Sequence, residues 1–417
     1  MLRYALFSAL AILLVPTLKA QKIRSDNVEY QFIRLPLAPA DKTIRSYSAF
    51  IHAAYEEKNR TLMAEYDEKV REAEETYKRE MNEYPAQVKA AEAKYEKEME
   101  AYSKKSTGDK IIERNILGEN TKPVKQVPSK PYLQTVSKPI LQTSYDYPVL
   151  AATHLKLHGF ESTPAGALKV LVTLYGYDYT HPRVLSEQKD MVSVGKTTST
   201  YKATYYHTEF SYRHPMSVKV VAPDGKELLN MTPQELNVYR MYKTPATDKM
   251  PQVNAEALVR STEEKLLQEN LQFINNLVND RLGWAPVKRT AQLYYVKEKG
   301  DDYADLMLAL NEASSGLRML ATDSAAARAR LEKAVSLWNQ ALKESNPGDK
   351  KARIDESVTT AICFNLLEAY FALRDDAAAA MVLEKMNGLR LSSGERRDKA
   401  EWELLYTDLK KRKQSNQ

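Results

Sequence analysis

The chain has 417 residues, 43 % of them hydrophobic and 28 % charged, and its 61 Lys and Arg against 55 Asp and Glu leave a net charge of +6. Such a composition predicts a folded chain of two or three domains and excludes a disordered one. No run of five or six like charges marks a nucleic-acid arm, and a single cysteine, Cys363, excludes an internal disulfide.

Residues 1–20 read as a secretory signal peptide. Arg3 supplies the positive charge, Ala5 to Val15 the apolar run, and Leu18-Lys19-Ala20 the small-residue end that a signal peptidase cuts after. The run is too short to span a bilayer, which takes about 20 apolar residues. The mature chain is therefore expected to begin near Gln21 and to work outside the cytoplasm. Gln21 stands where a lipoprotein would need a cysteine, and no later segment is apolar for long enough to act as a transmembrane anchor. A large exported chain without disulfides fits a bacterial cell envelope, in the periplasm or at the outer membrane, with release from the cell the remaining option. Cys363, inside Ala361-Ile362-Cys363-Phe364, fits a buried structural thiol.

Residues 21–105 are read as an N-terminal segment followed by a long charged helix. From about Thr43 to Ser103 the sequence is rich in helix formers and contains no glycine. Tyr55, Tyr66, Tyr77, Tyr84, Tyr95 and Tyr102 recur at spacings of 11, 11, 7, 11 and 7. At 3.6 residues per turn those steps hold the six rings within an arc of about 40°. Pro85 either kinks one rod or starts a second helix folded back on the first. The stripe packs on the protein's own helices or sheet, with hydroxyls reaching water, or forms a seam with another molecule, a second copy included. These six tyrosines are candidate partner-binding residues.

Residues 106–147 change character: Pro123, Pro128, Pro131 and Pro139 punctuate a polar run and predict an extended, semi-rigid linker. A β-rich domain is expected over 148–252, as a compact antiparallel sandwich. Its strands are read around Leu155 and Leu157, at Ala167 to Tyr177, at Thr198 to Ser211, and in a hairpin from Met216 to Leu229 with Asp224-Gly225 at the tip. The later strand Ala291 to Val296 is a candidate addition to it. Five of the six histidines (His154, His158, His181, His207 and His214) fall here, but their spacing suits no metal, and surface or sheet-face positions are expected. No catalytic motif or cofactor fingerprint is found, so no metal, no cofactor and no enzyme activity are expected.

Asn254 to Leu282 reads as an amphipathic helix with Gly283 at its C′ position, and 253–300 as a helix-plus-strand connecting unit. Further helices are expected at about 302–320, 324–344, 355–374, 376–387 and 394–412, so that 301–417 forms a helical domain. Within it, Asn365-Leu366, Ala369-Tyr370, the turn at Arg374-Asp375, Ala379 and Leu383 resemble a tetratricopeptide helix pair, with the weaker match extending over about 324–387. Arg374 stands where that family has its turn glycine. The resemblance implies a concave protein-binding face on which Asn365 is exposed.

The expected architecture is thus an α+β multidomain chain: long helix, β-sandwich-like middle, C-terminal helical array. The expected function is a non-catalytic scaffold or protein–protein interaction protein of the envelope, its partners other envelope proteins. The alternative is a glycan-binding protein or carbohydrate-active enzyme with its site on the tyrosine-rich β-domain, where Tyr175, Tyr177, Tyr179, Tyr205 and Tyr206 are the stacking candidates.

Overall fold

A computed structural model describes residues 23–108, 110, 122–193, 199–252, 254–297 and 302–417. The signal segment expected at residues 1–20 lies outside the described residues. The chain is mixed α/β. Its strands are β1 (Ile23–Ile33), β2 (Ser46–Ala53), β3 (Glu161–Ser162), β4 (Leu168–Leu174), β5 (Asp178–Tyr179), β6 (Arg183–Ser193), β7 (Ser199–Arg213), β8 (Met216–Val221), β9 (Glu227–Met231), β10 (Arg240–Lys243) and β11 (Pro286–Val296). Its described helices are α1 (Glu56–Lys104), α2 (Tyr147–His154), α3 (Ala255–Leu282), α4 (Ala304–Met319), α5 (Ser324–Ala341), α6 (Glu356–Leu373), α7 (Asp376–Asn387) and α8 (Ser393–Ser415).

The middle of the chain does not form a wholly antiparallel sheet. Its five-stranded sheet runs β3-β2-β4-β8-β9, with β2 parallel to both β3 and β4. Leu168, Val170, Val172 and Leu174 alternate into the core from β4, and Met216, Val218 and Val220 do so from β8. Helices take the place that a second sheet of a sandwich would fill. Ala151 of α2 and Leu267, Leu271, Ile274 and Val278 of α3 complete the same core. The strand expected around Leu155 and Leu157 does not form: both lie in irregular chain just after α2 ends at His154. Asp146 caps that helix by accepting from the Val149 amide at 3.1 Å, and Pro148 sits in the first turn, where its missing N–H costs nothing. Beside this sheet, β6 and β7 form a long antiparallel ribbon from Arg183↔Glu209 to Ser193↔Ser199, with β10 and β5 also paired to β7.

The start of the chain is shared between the two cores. β2 occupies the stretch Ser46–Ala53, so the long helix begins at Glu56 and not near Thr43. Tyr47, Phe50 and Ile51 are strand formers, and Tyr47, Ile51 and Ala53 are buried on β4. β1 pairs with β11 in full antiparallel register, Ile23↔Val296 to Ile33↔Pro286. That two-stranded ribbon lies on the C-terminal helices, so β11 closes the helical core and adds nothing to the middle sheet.

The C-terminal helices fall within a few residues of their expected bounds, and all but α4 have a side-chain cap at the start. Asp323, Asp355 and Asp375 accept amides at the starts of α5, α6 and α7, and Ser392 with Glu395 forms a capping box on α8. Every residue from Val358 to Phe371 is buried, so α6 is the axis around which the ribbon and its neighbouring helices pack. Gly283 is the C-cap of α3, one position before the C′ site expected for it, in an extended conformation (φ −95°, ψ 157°). A side chain there would collide with Asn279.

Candidate functional site

Of the two readings at Pro85, the chain takes the single rod and not the hairpin: α1 is one helix of 49 residues with Pro85 inside it. At 1.5 Å per residue it is about 73 Å long. Asn59, in its first turn, is its one buried residue, so all that follows stands away from the two cores. Four exposed pairs at (i, i+3) or (i, i+4), such as Arg60–Glu57 and Lys104–Glu100, line its solvent side and each adds only about 0.3–0.5 kcal/mol.

The base of this helix is held by backbone mimicry. The Asn59 side-chain amide donates to the Gln142 carbonyl at 2.9 Å and accepts from the Gln142 amide at 3.1 Å. Gln142 repeats the device one layer deeper, its side chain donating to the Tyr177 carbonyl at 3.0 Å and accepting from the Tyr177 amide at 2.6 Å. Gly176 makes room for this: its φ is +99°, and a Cβ would stand 2.9 Å from Gln142 Oε1. Around the clasp, Tyr55 donates to the Thr143 carbonyl at 2.8 Å and Tyr147 donates to Glu56. Thr143 and Tyr145 donate to the two oxygens of buried Glu263 on α3 at 2.9 and 3.0 Å. Burial raises the Glu263 carboxyl above its ordinary range, and the two hydroxyl donors pull the other way. Burial likewise keeps the Tyr55, Tyr145 and Tyr177 phenols protonated.

The expected linker is a strap. Residues 122–146 are extended and run back along α1, from Lys125, whose ammonium meets Glu92 at 2.9 Å, to Gln142 at Asn59. From Asn59 to Glu92 the helix rises about 50 Å at 1.5 Å per residue. From Lys125 to Gln142 a polyproline-type chain covers about 53 Å at 3.1 Å per residue. The lengths match, so the strap spans the helix without slack, and its four prolines hold it extended. Pro123, Pro128, Pro131, Val136 and Pro139 are half-buried, whereas Val124, Tyr132 and Ile140 are 76, 77 and 85 % exposed. Between strap and helix lies a groove bordered by Tyr77, Glu80 and Glu83 on one side and Lys130, Pro131 and Tyr132 on the other.

Of the six tyrosines, Tyr55 is buried in the base, and Tyr66, Tyr77, Tyr84, Tyr95 and Tyr102 are half-buried along the helix. Asn365 is not available to a partner. It is 1 % exposed, accepts from the Tyr294 amide at 2.7 Å and donates to the Tyr294 carbonyl at 2.8 Å, clipping β11 onto α6. In the middle unit Tyr177 is core and stacks on Tyr179 at 5.4 Å, leaving Tyr175 and Tyr179 exposed.

Of the histidines expected at surface or sheet-face positions, His207 on β7 and His214 just after it are buried. His207 lies 3.4 Å from Glu209, and neither ring nitrogen of His214 has a hydrogen-bond partner. Burial holds the His214 imidazole down at about 4. Cys363 is fully buried, and burial pushes its thiol up to about 12. Among the described residues, no three His, Cys, Asp or Glu gather at metal distance, and no helix is long and apolar enough to cross a membrane. Asn59, Gln142 and Glu263 were not singled out from the sequence. Glu263 and Asn270 nevertheless share a helical face with Val259, Leu266 and Ile274, and polar residues on an apolar face are the readable sign of such a clasp. No protein-family model matches the chain, and neither does any curated protein.

Proposed function

We propose that this chain is an exported, non-catalytic interaction protein of the bacterial cell envelope, and that the strapped helix is its partner-binding surface. The observation that carries this is the series of exposed apolar side chains Val124, Val127, Tyr132, Leu133 and Ile140 on a strap pinned to a projecting helix. Five large apolar side chains left in water along so short a segment exceed the single scattered positions that a surface ordinarily carries. A rigid, pre-extended surface also spares a partner the entropy of ordering it. The middle unit sets the direction of the projection through the Asn59–Gln142–Tyr177 clasp. A tetratricopeptide-like reading of 324–387 belongs to the same proposal, but binding is assigned to α1, because the β1–β11 ribbon occupies the face that Asn365 was to serve.

The test excises the projection and spares its base. Residues 64–137 are replaced by a short Gly-Ser linker, which keeps β2, Asn59 and Gln142. The folded remainder should lose the envelope proteins that the full chain retains, or lose self-association in sedimentation if the partner is a second copy. An unchanged set of partners and an unchanged mass would refute the assignment. The exposed Tyr175 and Tyr179 favour a second reading, sugar binding on the middle unit; saturable binding on a glycan array, abolished by Tyr175→Ala, would promote it.

A further inference from the structure

A cavity of about 610 Å³ lies where the β1–β11 ribbon meets α5, α6 and α8, a volume within the roughly 300–1,000 Å³ of small-molecule sites. Its wall is apolar, with Phe32, Val287, Leu320, Phe371 and Leu405 among the lining side chains. Its charges are one-sided: five arginines and Lys288 against Asp408 alone.

Most of these cations are already paired. Arg34 and Arg412 share Asp280 and Asp408, Arg289 holds Glu368, and Arg328 holds Glu332. Arg374 and Lys288 have no carboxylate partner among the described residues. Arg374 donates to the Ile33 carbonyl at 2.7 Å from one nitrogen, which leaves the rest of its guanidinium fork free for a planar or tetrahedral anion. Its backbone is left-handed, φ 59° and ψ 35°, and it is the one non-glycine residue with positive φ among the described residues. Glycine takes that conformation without strain. An arginine kept there at a backbone cost points to a use for its side chain.

We infer that the cavity binds an amphipathic anion, a single apolar chain lying on the Phe32–Phe371–Leu405 wall with a carboxylate or phosphate head on Arg374 and Lys288. The full chain is titrated below the critical micelle concentration with dodecanoate, dodecyl phosphate, dodecyltrimethylammonium and inorganic phosphate, by calorimetry and thermal shift. At least one of the two anionic amphiphiles should bind saturably, one per chain, and raise Tm. The stronger of the two tells a fatty-acid ligand from a phospholipid-derived one. The cationic amphiphile and inorganic phosphate should not bind. Arg374→Gly should still fold, since relief of the left-handed backbone offsets much of the lost bond to the Ile33 carbonyl, yet weaken binding about tenfold or more. Lys288→Gln, at an exposed position, should weaken it in the same direction. Equal binding of the cationic amphiphile, no saturable binding of either anion, or full affinity in both variants would overturn the inference.

Discussion

Glu368 joins the ribbon to the central helix. Its carboxylate, 2 % exposed, accepts from Tyr30 at 2.6 Å and from Arg289 at 2.9 and 3.2 Å, and Arg289 in turn lies 4.7 Å over the Trp402 ring. Removing one member of a buried pair strands the other, so Glu368→Ala should cost about 3–5 kcal/mol in denaturant unfolding. A loss below 1 kcal/mol would show the pair to be dispensable. His214 contributes to the acid side of the stability curve. Its folded value of about 4 lies below the usual 6.5, so the unfolded chain binds the proton that the folded one refuses. Stability from this group is whole above pH 6.5 and falls by up to about 3 kcal/mol as pH drops toward 4. Glu263 works in the opposite direction, because its raised value makes the folded state lose stability as pH rises through it. His214→Phe breaks no hydrogen bond and should shrink the fall in Tm between pH 7 and pH 5; an unchanged fall would place its origin elsewhere.

At the scale of elements, Pro85 is the weak point of α1. It removes one N–H from the ladder and crowds the preceding turn, a penalty of about 3 kcal/mol in a helix interior. Pro85→Ala should therefore slow amide hydrogen exchange across 86–104, with little effect on α3 or α6. Equal exchange in both proteins would mean that the strap, and not the helix ladder, limits opening. Helix α6 and strands β1 and β2 show what local pattern could reveal. The apolar spacing of α3 to α8, and the caps of all of them but α4, are sequence-local, which makes their limits legible. Ile362, Phe364, Leu366 and Leu367 surround Asn365 on every side of α6, a pattern that marks a wholly buried helix and argues against an exposed Asn365. β1 was not legible: only Val28 and Tyr30 are fully buried within it, and its partner β11 lies far along the chain. β2 has the look of helix in the sequence because the helix formers after it are continuous with it. Its strand state comes from pairing with β4 and β3, a tertiary choice that overrides local propensity.

For the whole molecule, the two cores are tied by the first thirty described residues, β1 feeding one and β2 the other. The tyrosine stripe and the prolines were both visible in the sequence. Their union was not, since nothing local says that an extended chain doubles back on the helix before it. The clasp is where that union is fixed. Asn59→Ala leaves the Gln142 amide and carbonyl unpaired in a half-buried site, at a cost of about 1–3 kcal/mol. It should release the lower strap, seen as proteolysis within 130–142 before the cores are cut. The central claim is that the strapped helix meets a partner, and site-specific photocrosslinking in intact cells tests it most directly. A photoreactive residue at Ile140 or Tyr132 should give a discrete adduct, with another envelope protein or with a second copy of the chain. The same probe at exposed Asp224, on the β8–β9 turn, should not. Adducts of equal yield from Asp224, or none from the strap, would contradict it.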